Sequence, residues 1–129
     1  MPANYVLLEK ITVGAAGASS VTFSGIPQTG YTDLVVKVSA RDATGTSAVY
    51  SVRPNGSSAN LSDRRLTGTG SSASSSTSSD ILPVLSISTD TSNTFGNSEI
   101  YIPNYTSANY KSISADSVTE TMQLMHMLV

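Results

Sequence analysis

The 129-residue chain has no cysteine, no tryptophan and a single histidine, and only 12% of its residues are charged. The absence of cysteine excludes disulfides, thiolate zinc sites, iron–sulfur clusters and thiol nucleophiles. The net charge of −2 argues against a general electrostatic grip on nucleic acid or on anionic lipid. We therefore expect neither a nucleic-acid partner nor a membrane partner.

Long apolar runs are also missing. No stretch approaches the roughly 18 residues that a membrane-spanning helix needs. Residues 1–10, MPANYVLLEK, lack both the basic start and the long apolar centre of a secretory signal. We therefore expect synthesis in a cytoplasm, with any exterior location reached through assembly or cell lysis.

The scarcity of histidine argues against an enzyme. His126 lies near the C-terminus in an apolar segment, where a packed or terminal role is favoured over that of a catalytic base. The segment 90–93 offers oxygen ligands but does not have EF-hand spacing. Carboxylates that could act in pairs occur mostly in predicted turns or on wet strand faces: Asp33, Asp42, Asp63, Asp80, Asp90, Glu99, Asp116 and Glu120. We expect no catalytic residue, no cofactor and no metal site.

Hydroxyl side chains are abundant instead, with 24 serines and 15 threonines. A chain of this length is sufficient for one domain. Apolar residues recur with a period of two almost throughout, which is typical of strands that bury one face. We therefore interpret residues 1–129 as a single all-β domain.

The clearest predicted strand covers residues 34–40, where Leu34, Val36 and Val38 alternate with polar neighbours. Residues 122–129 are apolar and methionine-rich, and form a last strand or a short helix. Further short strands are predicted at residues 5–13, 21–23, 48–52, 81–87, 98–104 and 110–115. Their regular spacing predicts an antiparallel β-sandwich, jelly-roll-like, complete in one chain or completed by a neighbouring subunit.

The segment at about 67–79 has a different composition. It is rich in serine and glycine and nearly free of large apolar side chains. Such a tract buries too little apolar area to offset the entropy of ordering it. We therefore predict a long exposed loop here.

A tyrosine- and asparagine-rich stretch follows residue 100. Tyrosine and asparagine together form adaptable recognition surfaces, although tyrosine rings also cap β-sandwich cores with their hydroxyls in water. The capping role is favoured over the contact surface. The residues of the alternative recognition surface are Tyr101, Asn104, Tyr105, Asn109 and Tyr110.

Three stretches of the chain are YVLLEKITVG at 5–14, VTFSGIPQT at 21–29 and YTDLVVKVSAR at 31–41. These stretches resemble a group of small β-rich structural proteins of tailed-bacteriophage virions. The block 55–66, followed by its Gly/Ser tract, is also similar to this group. Members of the group are exterior virion components, namely head decoration proteins, head fibres or tail-fibre domains.

The resemblance implies a non-enzymatic virion protein on the particle exterior. A capsid decoration (cement) protein that stabilises the head is the leading interpretation, with the major capsid protein or other virion proteins as partners. A homotrimer is favoured because it fits capsid three-fold sites. The alternative is a tail-fibre or receptor-binding domain with a glycan ligand.

Subunits of such a protein would join through an unpaired edge strand or through the apolar C-terminal segment, by strand addition. We predict the C-terminal segment as the contact. Its residues are Met122, Leu124, Met125, Met127 and Leu128.

Overall fold

The structure, a computed structural model, describes residues 5–45 and 48–120, together with the backbone of residues 124–128. Within these ranges the chain contains strands, turns and one short 3₁₀ turn, Pro54–Gly56, and no α-helix. The predicted all-β class is confirmed. No helix in the described ranges is long and apolar enough to cross a membrane. The strands are β1 Leu34–Ala40, β2 Asp63–Gly68, β3 Ala73–Ser78, β4 Gly96–Ile102, β5 Ser114–Val118 and β6 Leu124–Leu128.

The strands form one antiparallel sheet in the order β1-β4-β5-β6-β2-β3. β1 and β3 are therefore the two edges, and β4, β5, β6 and β2 have a partner on each side. The central strands alternate cleanly: Ser98, Ile100, Ala115 and Ser117 are buried, while their neighbours in sequence are mostly exposed. At β4 and β5, one face of the sheet is thus covered and the other is wet.

β1 has the bounds that the alternation predicts. Leu34, Val36 and Val38 stand opposite Ile102, Ile100 and Ser98 of β4, so the apolar face of β1 continues that of β4.

A second layer of extended chain covers the buried face. Residues 48–52 and 81–86 meet in isolated antiparallel bridges, Val49 with Val84 and Val52 with Ile81. The Val84 N–H donates to Ser117 Oγ at 3.1 Å, and Ser98 Oγ donates to the Val84 carbonyl at 3.2 Å. Regular strands were predicted for both segments, but side-chain hydroxyls of the sheet take up part of their backbone bonding. This layer is compatible with a sandwich, and the jelly-roll arrangement stays a prediction.

The core between the layers is small. Its fully buried apolar members are Ile81, Ile100, Ile113 and Ala115. Partly buried side chains surround them: Val36, Tyr50, Val52, Leu61 and Ile102. Because so few large side chains are involved, each one carries a large share of the burial that stabilises the fold.

The predicted long loop at 67–79 is wrong. β2 and β3 form a hairpin here, closed by the Thr69 N–H donating to the Ser72 carbonyl at 2.9 Å. The prediction considered apolar burial alone, whereas β3 is stabilised by backbone hydrogen bonds to β2 and by hydroxyl side chains that tolerate extended backbone. Its exposure was predicted correctly, since Ala73 to Thr77 are all exposed.

The N-terminal strands predicted at 5–13 and 21–23 are also absent. Residues 5–33 contain no strand, and most of them are exposed. A tight turn, in which the Gly17 N–H donates to the Gly14 carbonyl at 2.9 Å, reverses the chain between the two segments. Their apolar alternation is present, but no neighbouring strand pairs with it in the described chain.

At the C-terminus the strand alternative is confirmed. β6 lies between β5 and β2 and pairs with both. Leu124, Met125, Met127 and Leu128 belong to it, while Met122 lies outside the described residues. Because both edges of β6 are used, its backbone offers no free edge for strand addition, and a contact through its side chains stays a prediction.

Candidate functional surfaces

Two of the five tyrosine and asparagine residues of the predicted recognition surface bond to Asp33. Tyr101 Oη donates to Asp33 Oδ2 at 2.9 Å, and the Asn104 N–H donates to Asp33 Oδ1 at 2.8 Å. The hydrogen bond to the carboxylate raises the pKa of Tyr101 above its usual value, because ionisation would remove the donated proton. The next residue, Tyr105, is tied to the same region through its N–H, which donates to the Thr32 carbonyl at 3.1 Å.

These bonds use the tyrosine hydroxyls inside the molecule. Tyr105 Oη donates to the Pro27 carbonyl, so the hydroxyls of Tyr101 and Tyr105 both fasten residues 101–105 to residues 27–33. Tyr110 differs, because its side chain is 93% exposed. The recognition surface stays a prediction, and Tyr110 is its most accessible ring.

The loop that carries Tyr110 is held by a lysine. Lys111 Nζ donates to the Ser107 carbonyl at 2.7 Å, to Ser107 Oγ at 2.6 Å and to the Asn109 carbonyl. This charge-assisted clamp fixes the backbone on both sides of Asn109. Asn104 begins the turn with a φ of 45°, a conformation that asparagine tolerates better than most residues.

The segment 90–93, considered for its oxygen ligands, lies in a loop that is organised around an arginine. Arg41 Nη1 donates to the carbonyls of Thr91 and Thr94, both at 2.9 Å. Nη2 donates to the carbonyls of Ser88 and Asp90 at 3.1 and 2.8 Å. The guanidinium therefore takes the place that a bound cation would need among these oxygens.

Glu120 holds the same loop from the other side. The Thr91 N–H donates to Glu120 Oε2 at 2.7 Å, and the Thr91 hydroxyl donates to Oε1. These bonds to the ionised form lower the pKa of Glu120, with a smaller contribution from Arg41. Arg41 and Glu120 thus both brace the loop, and no pattern in the sequence indicates that two residues so far apart would bind the same segment.

The wet face of the sheet carries an open concavity of about 480 Å³. It is lined by exposed side chains of β1, β4 and β5: Lys37, Ser39, Asn97, Glu99, Asp116 and Val118. Lys37 Nζ and Glu99 Oε2 form an ion pair at 3.1 Å, with side chains 76% and 55% exposed, so the pair contributes little to stability. Across residues 5–45 and 48–120, no group of three histidine, aspartate or glutamate side chains could hold a metal ion.

Asp63 was interpreted from the sequence as a solvated residue, and this is wrong. It is the first residue of β2 and is 1% exposed. Neither of its carboxylate oxygens has a hydrogen-bond partner among the described residues. Burial raises the pKa of Asp63, and the nearby Arg65 partly opposes this effect. No sequence signal marked this residue, because burial at the start of β2 depends on how the sheet is assembled.

The N-terminal segment supplies an apolar surface that sequence reasoning assigned to strands. Tyr5, Leu7 and Val6 are 78%, 79% and 54% exposed. The whole chain exposes 8854 Å², whereas a compact 13.4 kDa monomer is expected to expose about 6,500 Å². The molecule therefore has an excess of surface, part of it apolar.

Comparison with models of known families gave no match, and neither did comparison with curated proteins or with solved structures. Among the described residues, Arg41, Glu120 and Lys111 each hold a loop, and several large apolar side chains of the N-terminal segment are exposed.

Proposed function

We propose that this protein is a non-enzymatic structural component of a bacteriophage virion, placed on the particle exterior as a capsid decoration protein that binds and stabilises the head. The observation that carries the proposal is the excess of exposed surface, about 2,400 Å² beyond the expectation for a compact monomer of this mass. Surface of this kind is typical of chains that complete their burial in an assembly.

The size of the excess fits several contacts for each subunit. A standard interface buries about 800 Å² on each partner. A subunit in a closed trimer has two neighbours and would bury about 1,600 Å² on them, which leaves further surface for the major capsid protein. The resemblance of residues 5–41 to virion proteins supports the same assignment.

The hydroxyl-rich hairpin of β2 and β3 suits an exterior position. Residues Ala73 to Thr77 are exposed and carry no charge, so they can face water without the strong electrostatic field that would attract nucleic acid.

The alternative, a tail-fibre or receptor-binding domain with a glycan ligand, draws support from Tyr110. Its ring is almost fully exposed, on a loop that Lys111 fixes. Aromatic rings on fixed loops are common contact points for ligands.

Copy number separates the two assignments. Particles of the phage that encodes the chain are purified, and the protein is quantified by mass spectrometry with labelled peptides against the major capsid protein. A decoration protein is expected on the order of hundreds of copies per particle, as capsid symmetry requires. A handful of copies, with antibody labelling at the tail tip, supports the alternative. Absence from washed particles overturns both.

A further inference from the structure

Residues 5–13, which we call the arm, form an exposed apolar segment at the N-terminal end of the described chain. Its apolar side chains are strongly exposed, with Leu7 at 79% and Val13 at 48%. It contains no strand, and no backbone hydrogen bond in the described chain pairs it with another segment. The alternation of Tyr5, Leu7, Ile11 and Val13 nevertheless suits a strand with one apolar face.

A carboxylate within the arm is also incomplete. Glu9 Oε2 is shielded from water, and it has no hydrogen-bond donor among the described residues. It packs beside Gly25, where a Cβ would be in ordinary contact with this oxygen at 3.8 Å. A shielded acceptor without a donor is costly, so the arm is not fully satisfied in its conformation in the single chain.

β1 is an edge strand of the sheet, and the side that faces away from β4 is its free edge. β1 pairs with β4 as its only strand neighbour. Its other side is open along the strand until its C-terminal end, where the next residue, Arg41, meets Ser86 of the covering layer in an isolated parallel bridge. The seven residues of β1 are LVVKVSA, whereas those of the opposite edge strand, β3, are ASSSTS. The two edges are similar in length, but only β1 would bury apolar side chains against an added strand.

We propose that the arm of one copy adds as a strand to the free β1 edge of a second copy. The partner is a second copy of this chain because arm and edge are both apolar, both incomplete in the single chain and present together in every copy. Such a contact is head-to-tail, and three copies can close it into a ring. Aliphatic and aromatic side chains of the arm would then pair with the valines of β1. This inference rests on the proposed function only in treating the chain as an assembly protein.

The test uses the full chain and measures its mass by sedimentation velocity and native mass spectrometry. The wild type is expected to form a closed oligomer. Leu7→Asp is expected to raise the dissociation constant about tenfold or more, because it removes a leucine from the contact and places a charge there. The matched control is Leu66→Asp, an exposed leucine on β2, and it should assemble like the wild type. A monomeric wild type at 50–100 micromolar, about the range in which weak contacts still associate, overturns the inference.

Hydrogen exchange locates the contact. Alternate amides of Leu34–Ala40, those that do not bond to β4, are expected to become protected as the protein concentration rises. Protection that is independent of concentration would mean that the arm folds onto its own β1, and this overturns the inference. So does an oligomer that survives Leu7→Asp or dissociates with Leu66→Asp.

The test of self-association does not depend on whether the chain is part of a virion. If the chain assembles through the arm but is absent from virions, the inference holds and the proposed function fails. If it decorates virions as a monomer, the proposed function holds and the inference fails.

Discussion

The centre of the sheet and the N-terminal segment have similar amino acids and opposite surroundings. Both alternate aliphatic or aromatic residues with polar ones, yet Ile100 is 1% exposed and Leu7 is 79% exposed. β4 has a strand on each side and a covering layer, whereas residues 5–13 have neither. Alternation therefore specifies which face of an extended segment is apolar, and a partner strand decides whether that face is buried.

The hairpin of β2 and β3 shows the converse, namely that a strand forms without an apolar face when it has a partner. β3 has almost no apolar side chain, and still it is a regular strand because β2 supplies its backbone partners. Arg65 Nε adds a cross-strand bond by donating to Ser76 Oγ at 3.2 Å. Pairing, more than hydrophobicity, separates strand from non-strand in this chain.

The largest expected effect comes from a cavity at the centre of the sheet. Ile100→Ala is expected to lower the free energy of unfolding by about 2–5 kcal/mol, since the small core cannot close over the lost volume. Leu7→Ala is its counterpart in the N-terminal segment and should change the same quantity by less than about 0.5 kcal/mol. Urea unfolding, followed by circular dichroism on dilute monomeric protein, measures both.

If Ile100→Ala does not fold, Ile100→Val gives the same comparison at a smaller scale, with an expected loss of about 0.5–1.5 kcal/mol. Equal losses for the Ile100 and Leu7 variants would contradict the difference in burial between the two regions.

Sequence reasoning predicted the parts of the fold that depend on local pattern. β1 was placed at its observed bounds, because it lies in a run whose apolar period is unambiguous. It failed where the outcome depends on partners distant in sequence, as for β3. The contacts of Asp33 with Tyr101 and of Arg41 with the loop at 88–94 join residues about 50–70 positions apart, and no pattern in a single sequence reveals such pairs.

The second prediction concerns the approach of the covering layer to the sheet. A Cβ on Gly96 would lie 2.8 Å from the backbone nitrogen of Ser86 and 2.9 Å from Leu85 Cα. Gly96→Ala is therefore expected to cost about 1–3 kcal/mol, because backbone atoms must shift to admit the methyl group. The layer and the sheet would separate at this point.

Gly14→Ala is the matched variant in the N-terminal segment, where nothing lies within 4 Å of the added methyl group. It is expected to be neutral or to stabilise by up to about 1 kcal/mol, since alanine restricts the unfolded chain. Thermal unfolding of both variants under identical conditions measures the contrast. If Gly96→Ala does not lower the stability, the covering layer packs only loosely against the sheet at Gly96.

The smallest expected effect concerns Asp63, whose carboxylate is buried at the start of β2. It is the converse of the N-terminal segment, where apolar side chains are exposed to water. Burial raises the pKa of Asp63 in the folded protein above its value in the unfolded chain. The folded state therefore binds more protons than the unfolded state between these two pKa values. The free energy of unfolding then falls as the pH rises through that interval and is lowest above it.

Asp63→Asn keeps the shape of the side chain and removes its charge. It is expected to raise the free energy of unfolding at pH 7 by about 1 kcal/mol, since a buried charge without donors is replaced by a neutral amide. The gain should shrink toward zero as the pH falls below the unfolded pKa of Asp63, because Asp63 is then protonated in both states. Asp80→Asn, a partly exposed carboxylate with the same change in net charge, is the control for long-range electrostatics. The contrary result is a free energy of unfolding that rises with pH through this interval by the same amount in the wild type and in Asp63→Asn. It would mean that Asp63 finds a hydrogen-bond donor in solution.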